Sequence, residues 1–243
     1  MKRLLLGSTL ILVFSSSAHA DLRSFTETYE FSTVPEGKTA VELWHTQGRT
    51  TWDASTPQFF EQIVELEHGI TDRWDFAIYS VFAQVTGDAM TAEPFHFAEL
   101  KLETRYRLAD RGDWPVDTLL YLETAKQFGT SAYDVEGKVI GARDFDKLTV
   151  AANAIAEVQF GNDVKETELE LGFAAGITYQ VHNKLRLGAE TFGSYESETL
   201  KVSAGPALSW ALSSNYWIAI SAAFGLNDDA DAFRGRAIIG IEL

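Results

Sequence analysis

The stretch from Phe97 to Phe128 constrains the fold of this chain most strongly, because it joins two amphipathic runs through a polar turn, Ala109–Pro115. Successive side chains of a β-strand point to opposite faces, whereas the 100° rotation per residue of a helix would scatter the charges of this stretch. The stretch therefore predicts a β-hairpin with an apolar wall and a charged wall. In its first strand the apolar wall comprises Ala98, Leu100, Leu102, Thr104, Tyr106 and Leu108, and the charged wall comprises Glu99, Lys101, Glu103, Arg105 and Arg107.

The chain begins with the pattern of a secretory signal peptide. A basic start is followed by the apolar run Leu4–Phe14, and the small residues Ala18 and Ala20 then flank His19. The apolar run is too short to cross a bilayer as a helix, so cleavage before Asp21 is expected; a buried N-terminal helix is the alternative. We predict a signal peptide over residues 1–20, an N-terminal periplasmic segment over 21–37 and an outer-membrane β-barrel over 38–243.

Charge and cysteine content exclude several classes of protein. Without the signal peptide the chain has 18 basic and 35 acidic residues, a net charge of −17, which argues against nucleic acid as a partner. Cysteine is absent, so neither disulfides nor a thiolate metal site is available. No later apolar stretch reaches the roughly 18 residues of a transmembrane helix. An exported soluble β-sandwich or a membrane barrel remains.

Twelve amphipathic runs follow residue 37, and most have about 10 to 14 residues, the length with which a tilted strand crosses the hydrocarbon layer. Strands of soluble sheets more often have about 5 or 6 residues. Short turns alternate with more polar links, as in bacterial barrels, and an even strand count places both chain ends in the periplasm. The fold class predicted is therefore all-β, a transmembrane antiparallel up-and-down β-barrel of about 12 strands. The predicted strands are Lys38–Thr46, Phe59–His68, Arg73–Val85, Phe95–Leu108, Asp117–Phe128, Val135–Arg143, Lys147–Phe160, Thr167–Val181, Leu185–Glu196, Leu200–Leu212, Tyr216–Leu226 and Phe233–Leu243.

Two of these strands have special features. Val135–Arg143 is the least distinct, because its two faces differ little in polarity. Pro206 has no N–H to donate to a neighbouring strand, so it is expected to mark a bulge or a local break in pairing.

Aromatic residues recur near the predicted periplasmic turns. At the level of the lipid headgroups, a tyrosine or tryptophan side chain can place its apolar ring against lipid and its polar tip in water. The recurrence of these residues at the turns therefore favours an aromatic girdle over the core aromatics of a soluble sandwich. The predicted girdle consists of Trp74, Tyr106, Trp114, Tyr179, Trp210, Tyr216 and Trp217.

The charged wall is predicted to face the barrel interior, with an excess of acids. Asp75 is expected to pair with Arg105 or Arg107, and Lys38 with Glu242 where the barrel closes. These charges either keep the interior hydrated or form a narrow, cation-tolerant pore with a charged constriction. The interior of a twelve-stranded barrel is wider than that of an eight-stranded barrel, which side chains fill, and narrower than that of an open porin. The predicted pore-lining residues are Glu99, Lys101, Glu103, Arg105, Arg107, Glu123, Glu157, Glu168, Glu170, Arg186, Glu190, Arg234 and Arg236.

Enzyme signatures are weak. The histidines of the mature chain lack metal-ligand spacing with carboxylates, and no serine is placed to meet His45 or His96. Glu168 and Glu170 fit two steps of a hydrated wall better than an acid–base pair. We expect no catalytic residues, no metal site and no cofactor.

Three segments carry a resemblance to a known group of proteins: Glu67–Trp74, Tyr106–Leu108 with Trp114–Val116, and Asp144–Phe145 leading to Ala154–Glu157. They resemble hairpin signatures of a bacterial outer-membrane β-barrel group labelled as transporter-like and linked by name to the meta pathway of phenol degradation. The resemblance implies a barrel and the passage of small molecules, aromatic ones among them. This chain departs from the usual aromatic last residue by ending in Leu243.

The function predicted is a passive channel or binding pore for small solutes in the cell outer membrane. The alternative is a barrel without a transport role, serving as a structural or surface-interaction protein. The partners expected are outer-membrane lipid, the barrel-assembly machinery and small hydrophilic or aromatic solutes.

Overall fold

The fold is a closed antiparallel barrel of twelve strands, as predicted. The computed structural model describes residues 23–53, 55–87, 92–164 and 167–243, so the predicted signal peptide lies outside the described residues. Within the described ranges, no helix is long and apolar enough to cross a membrane. The strands are β1 (Thr39–Arg49), β2 (Gln58–Thr71), β3 (Trp74–Thr86), β4 (Glu93–Arg107), β5 (Asp117–Gln127), β6 (Ala132–Phe145), β7 (Leu148–Gly161), β8 (Glu168–His182), β9 (Leu185–Glu196), β10 (Thr199–Ala211), β11 (Tyr216–Gly225) and β12 (Phe233–Glu242).

The first and last strands close the barrel. β1 pairs with β12 from Ala40 opposite Glu242 to Arg49 opposite Phe233, so none of the twelve described strands is left with a free edge. The predicted ion pair between Lys38 and Glu242 is present at this junction, with 3.9 Å between Nζ and Oε1. We call the end of the barrel that holds this junction the terminal end and the opposite end the loop end.

Side chains alternate between the two surfaces of the barrel. Leu100, Leu171 and Ile239 point outward and are 39, 49 and 47% exposed, while charged residues such as Glu65 and Asp75 are fully buried inside. A contiguous apolar outer surface of this kind needs an apolar environment, and a barrel with a polar interior finds one in lipid.

One residue of the Phe97–Phe128 stretch departs from the predicted alternation. The pairing of β3 with β4 shifts between Val81 and Phe82, because Glu99 lies opposite Val81 while Phe97 lies opposite Phe82. The extra residue, Ala98, packs against a buried interior cluster instead of lying on the outer wall with Leu100. A β-bulge of this kind inserts one residue without a partner, and the sequence pattern alone does not reveal it.

Two local features follow from sequence. Pairing of β10 with β11 omits Gly205 and Pro206 without a change of register, so the break expected at Pro206 is present. The connection between β9 and β10 is a tight turn in which Ser197 and Glu198 both have positive φ, 47° and 67°. Two such residues are typical of a type I′ hairpin turn, and this explains why a link at the loop end is so short.

Six of the seven predicted girdle aromatics are exposed on the outer surface near the terminal end: Trp74, Tyr106, Trp114, Tyr179, Trp210 and Tyr216. The prediction for Trp217 was wrong, because this side chain is 5% exposed and points inward. It lies flat against Gly240, where a Cβ atom would be only 2.2 Å from the indole ring. A second set of exposed aromatics lies towards the loop end, and it comprises Trp52, Phe95, Phe128, Tyr133, Phe160, Tyr195 and Phe224.

Candidate functional site

The N-terminal segment occupies the barrel interior. Residues 23–34, here called the plug, were predicted as part of a periplasmic segment, but Phe25 and Phe31 are fully buried within the barrel. The chain enters at the terminal end, where Glu36 forms a bridge with Gly69. A short polar segment with three large apolar side chains gave no periodic signal in the sequence, and its partners lie far along the chain.

A single carboxylate holds the tip of the plug. Glu190 accepts hydrogen bonds from the backbone N–H groups of Thr26, Glu27 and Thr28, each at 2.8 Å. The hydroxyl of Thr26 lies 3.2 Å from the same carboxylate and 2.5 Å from the hydroxyl of Ser221. Glu190 was predicted to line a pore, whereas here it binds backbone groups that would otherwise be buried without partners.

The middle of the plug is fixed by an amide side chain. Asn153 accepts a hydrogen bond from the N–H of Tyr29 at 2.7 Å and donates one to the carbonyl of Tyr29 at 2.9 Å. This pair of bonds resembles the two hydrogen bonds that directly opposed residues of antiparallel strands form with each other. Asn153 is the only amide in the alanine-rich start of β7. It lies four residues before Glu157 and therefore on the same face of the strand, so its inward position could be predicted from the sequence.

Both ends of the plug contact the wall near the terminal end. The N–H of Val34 donates to Asp75 at 2.8 Å, and the guanidinium of Arg23 donates to Glu42 at 2.8 Å. Arg23 also lies over the ring of Trp44, with its central carbon 4.5 Å from the ring centroid. The segment therefore forms a folded loop whose tip lies deep in the barrel and whose two ends lie near the termini.

A cavity of about 660 Å³ occupies the loop-end half of the interior. Thr26, Glu27 and Tyr29 of the plug line it on the side that faces the terminal end. Ten carboxylates and five cationic side chains contribute to its lining, an excess of five acids. They are Glu27, Glu61, Glu99, Glu123, Asp134, Glu136, Glu157, Glu170, Asp229 and Asp231, with Lys101, Lys138, Lys201, Arg234 and Arg236.

Beyond the plug a smaller cavity of about 50 Å³ lies towards the terminal end. Its lining includes Arg23, Glu67, Arg105 and Trp217. Tyr29 lines both this space and the large cavity, so the plug lies between them.

Five glutamates form a row across five neighbouring strands. Glu103, Glu123, Glu136, Glu157 and Glu170 lie directly opposite one another from β4 to β8. Like charges in such positions destabilise a sheet unless cations intervene. Two lysines do so for part of the row, since Lys101 lies 3.2 Å from the Glu123 carboxylate and Lys138 lies 2.9 Å from that of Glu136.

The other end of the row differs. No side-chain hydrogen bond or ion pair joins Glu157 or Glu170 to another residue within the described ranges. These two carboxylates face the large cavity and are therefore available to a solute.

Below the row, towards the terminal end, Arg105 forms the centre of a buried ion network. Its guanidinium lies 2.8 Å from Asp75, 2.8 Å from Glu67 and 3.1 Å from Glu103. The predicted pairing of Asp75 with Arg105 is confirmed. Arg107 instead donates a hydrogen bond to the backbone carbonyl of Asp72 and lies beneath the ring of Phe31 in the plug.

The predicted pore-lining residues thus fall into several environments. Seven line the large cavity, whereas Glu103 and Arg105 are buried below it. Arg186 lies inside and donates to the hydroxyl groups of Thr149 and Thr178. The side chain of Glu168 lies outside the described part of the structure. The seven in the cavity are Glu99, Lys101, Glu123, Glu157, Glu170, Arg234 and Arg236.

Sequence reasoning missed Glu136 and Lys138, which belong to the least distinct strand. Both point inward and line the large cavity. The sequence signal for both residues was the alternation of inward and outward positions along β6. Gly137 and Gly141 obscured this alternation, because they lie on the other face and have no apolar side chain.

Comparison of the sequence with known protein families and with curated proteins finds no match. Among solved structures, an outer membrane channel from Pseudomonas putida F1 is similar, with a TM-score of 0.64 and 13% identity over 90% of this chain and 100% of that chain. A KdgM porin in complex with disordered oligogalacturonate gives 0.53 and 11% identity over 84% and 97% of the two chains. The NanC porin gives 0.52 and 10% identity over 84% and 98%. This chain therefore has the barrel fold of outer-membrane channels and porins.

Proposed function

We propose that this protein is an outer-membrane barrel that acts as a passive channel or binding pore for small polar solutes and prefers cations. The observation that carries the proposal is the acidic cavity of about 660 Å³ at the loop end, in which Glu157 and Glu170 form no ion pair with another described residue. The proposal includes no catalytic step.

The outer surface supports the location. Exposed leucines and isoleucines cover the strands, and exposed aromatics lie towards both ends of the barrel. This arrangement matches a hydrocarbon layer bounded by two headgroup regions. We propose export through the N-terminal signal, insertion by the barrel-assembly machinery and residence in the outer membrane, with the terminal end in the periplasm. Membrane fractionation tests this, since release of the protein without detergent would contradict it.

Electrostatics supports the preference for cations. A cleft lined by one sign of charge and bounded by walls of low dielectric concentrates counter-ions of the opposite sign. The cavity carries five more acids than bases, and carboxylate rings are a known means of selecting cations in channels.

Aromatic side chains define the inner part of the same cavity. Tyr29, Trp44, Tyr79 and Tyr121 line it beside the acidic groups. Aromatic faces attract organic cations, and they also stack with aromatic solutes. The cavity therefore suits small organic cations and small aromatic molecules.

Passage to the periplasm requires movement of the plug. Tyr29 and its neighbours separate the large cavity from the small one, so a solute bound at the loop end meets the plug first. We propose that the protein binds its solute with the plug in place and conducts it when the plug moves.

Reversal potentials in planar bilayers test the preference. Under a KCl gradient the wild-type protein is expected to favour K⁺ over Cl⁻, and the double variant Glu157→Gln with Glu170→Gln is expected to lose much of this preference. Glu93→Gln, which removes a carboxylate from an exposed position at the start of β4, is the matched control and is expected to behave as wild type. An unchanged reversal potential in the double variant would contradict the role of these two carboxylates.

The buried plug also favours a second candidate function, a barrel without a transport role that serves as a structural or surface-interaction protein of the outer membrane. The hydrogen bonds from Glu190 and Asn153 to the plug are the observation behind it. Absence of any current over a wide range of salt concentrations would select this alternative.

A further inference from the structure

We propose that the barrel interior holds one divalent metal ion, Ca²⁺ by its ligand chemistry, between Glu42, Glu65 and Glu67. The site lies on β1 and β2 at the terminal side of the plug, apart from the large cavity. It depends on neither solute binding nor conduction, so it stands or falls separately from the proposed function.

The three carboxylates converge because of strand register. Glu42 lies directly opposite Glu65 on the neighbouring strand, and Glu67 follows two residues later on the same inward face. One carboxylate oxygen from each residue lies within 4.8 Å of those of the other two. Oxygens on opposite sides of a Ca²⁺ ion are separated by about 4.8 Å, twice a typical bond of about 2.4 Å. One ion therefore reaches all three residues.

Glu65 provides independent evidence for a ligand. Its side chain is fully buried, and neither carboxylate oxygen receives a hydrogen bond from an N–H group or from a serine, threonine or tyrosine hydroxyl among the described residues. Glu42 and Glu67 differ, because the former accepts hydrogen bonds from Arg23 and Trp44 and the latter accepts one from Arg105. A buried carboxylate without a donor is costly. One oxygen of Glu65 lies within 4.8 Å of an oxygen of each of the other two glutamates.

The local excess of negative charge also favours a bound cation. Within the described ranges, two guanidinium groups, those of Arg23 and Arg105, form ion pairs among the five buried carboxylates of this part of the interior, which are Glu42, Glu65, Glu67, Asp75 and Glu103. Arg105 is shared among Asp75, Glu67 and Glu103, and Arg23 is bound to Glu42, so neither forms an ion pair with Glu65. A divalent cation reduces the excess from three negative charges to one.

Ligand type selects the metal. All three ligands are carboxylates, and neither histidine nor cysteine contributes, which favours a hard cation over Zn²⁺ or Cu²⁺. Mg²⁺ usually keeps several of its waters, whereas Ca²⁺ accepts several protein oxygens in a flexible geometry. A buried site with three glutamates therefore suits Ca²⁺ better.

Metal binding to the folded mature protein in detergent tests the proposal. After removal of metal with EDTA, calorimetric titration with CaCl₂ is expected to show one saturable site, and TbCl₃ is expected to give luminescence sensitised by tryptophan. The indole N–H of Trp44 donates to the Glu42 carboxylate at 2.8 Å, which places a sensitiser beside the metal. Glu65→Gln keeps the shape of the side chain and is expected to weaken binding at least about tenfold. Glu93→Gln, at an exposed position at the start of β4, is the matched control and is expected to bind as wild type.

Two results would overturn the site. Absence of saturable binding to the wild-type protein would mean that Glu65 is neutral and shares a proton with Glu67. Equal binding by wild type and Glu65→Gln would place the metal elsewhere. If Glu65→Gln does not fold, the wild-type protein remains informative: its melting temperature is expected to rise with Ca²⁺ relative to EDTA, and an unchanged value contradicts the proposal.

Discussion

Replacement of Glu190 by glutamine is expected to release the plug while leaving the barrel intact. The side chain is 4% exposed, and its two oxygens accept three backbone N–H groups of the plug, each at 2.8 Å. Glutamine has the same shape but only one accepting oxygen, and its amide group brings two donors towards backbone groups that also donate. At least one hydrogen bond is lost and the others no longer involve a charged acceptor.

The size of the effect follows from these contacts. A hydrogen bond to a charged group contributes about 1.5–3 kcal/mol and one between neutral groups about 0.5–1.5 kcal/mol. With about 1.5 kcal/mol for the lost bond and about 0.75 kcal/mol for each of the two weakened bonds, the plugged state loses about 3 kcal/mol. Since 1.36 kcal/mol corresponds to a factor of ten, the ratio of released to seated plug rises by about 150-fold.

Trypsin cleavage after Arg23 measures this ratio. The Arg23 side chain is only 10% exposed when the plug is seated, so cleavage requires release of the segment. When release and return are fast compared with cleavage, the rate of cleavage follows the released population. Glu190→Gln is expected to be cleaved about 150-fold faster than wild type, and Glu157→Gln, the same substitution without a contact to the plug, at the wild-type rate. Equal rates in the two variants would refute the reasoning.

Three further substitutions probe the plug, the interior and the outer surface. Gly176→Ala is expected to displace Phe25, because the new Cβ atom would lie 2.4 Å from its ring, whereas Gly137→Ala, with no atom within 4 Å, serves as control; faster trypsin cleavage of the first alone is the readout. Arg105→Ala leaves three buried carboxylates unpaired and is expected to lower the unfolding free energy by about 3–5 kcal/mol in denaturant titrations, and a change below 1 kcal/mol would contradict the network. Leu171→Arg places a charge on the outer surface and is expected to cost about 2–4 kcal/mol in lipid, while Leu171→Ala costs less; a surface in water would tolerate both.

Strand number, order and approximate bounds could be predicted from sequence because each strand repeats the same two-faced pattern. β1 extends to Arg49, three residues beyond the predicted end at Thr46, since pairing with β2 and β12 continues past the apolar stretch. The backbone ladder persists where the pattern of polarity fades. β6 shows the same effect, because it begins at Ala132 rather than Val135.

The interior was less predictable. Trp217 follows Tyr216, and only one of two adjacent strand residues can face lipid, so alternation with Ile218 and Ile220 already placed the indole inside. Proximity to a turn was the weaker guide. The position of the plug could not be predicted in this way. Glu190 lies more than 160 residues from Thr26 in sequence, and no local sequence pattern indicates such a contact.

A disulfide between the plug and the wall tests the central claim most directly. The hydroxyl oxygens of Thr26 and Ser221 are 2.5 Å apart, and the chain contains no cysteine, so the variant Thr26→Cys with Ser221→Cys carries the only two thiols. Under mild oxidation the two peptides are expected to be crosslinked, as mass spectrometry would show, and single-channel current is expected to stop until a reductant restores it. Crosslinking without any effect on current would show that solutes pass without movement of the plug, and failure of the two thiols to crosslink in the folded protein would place the N-terminal segment outside the barrel.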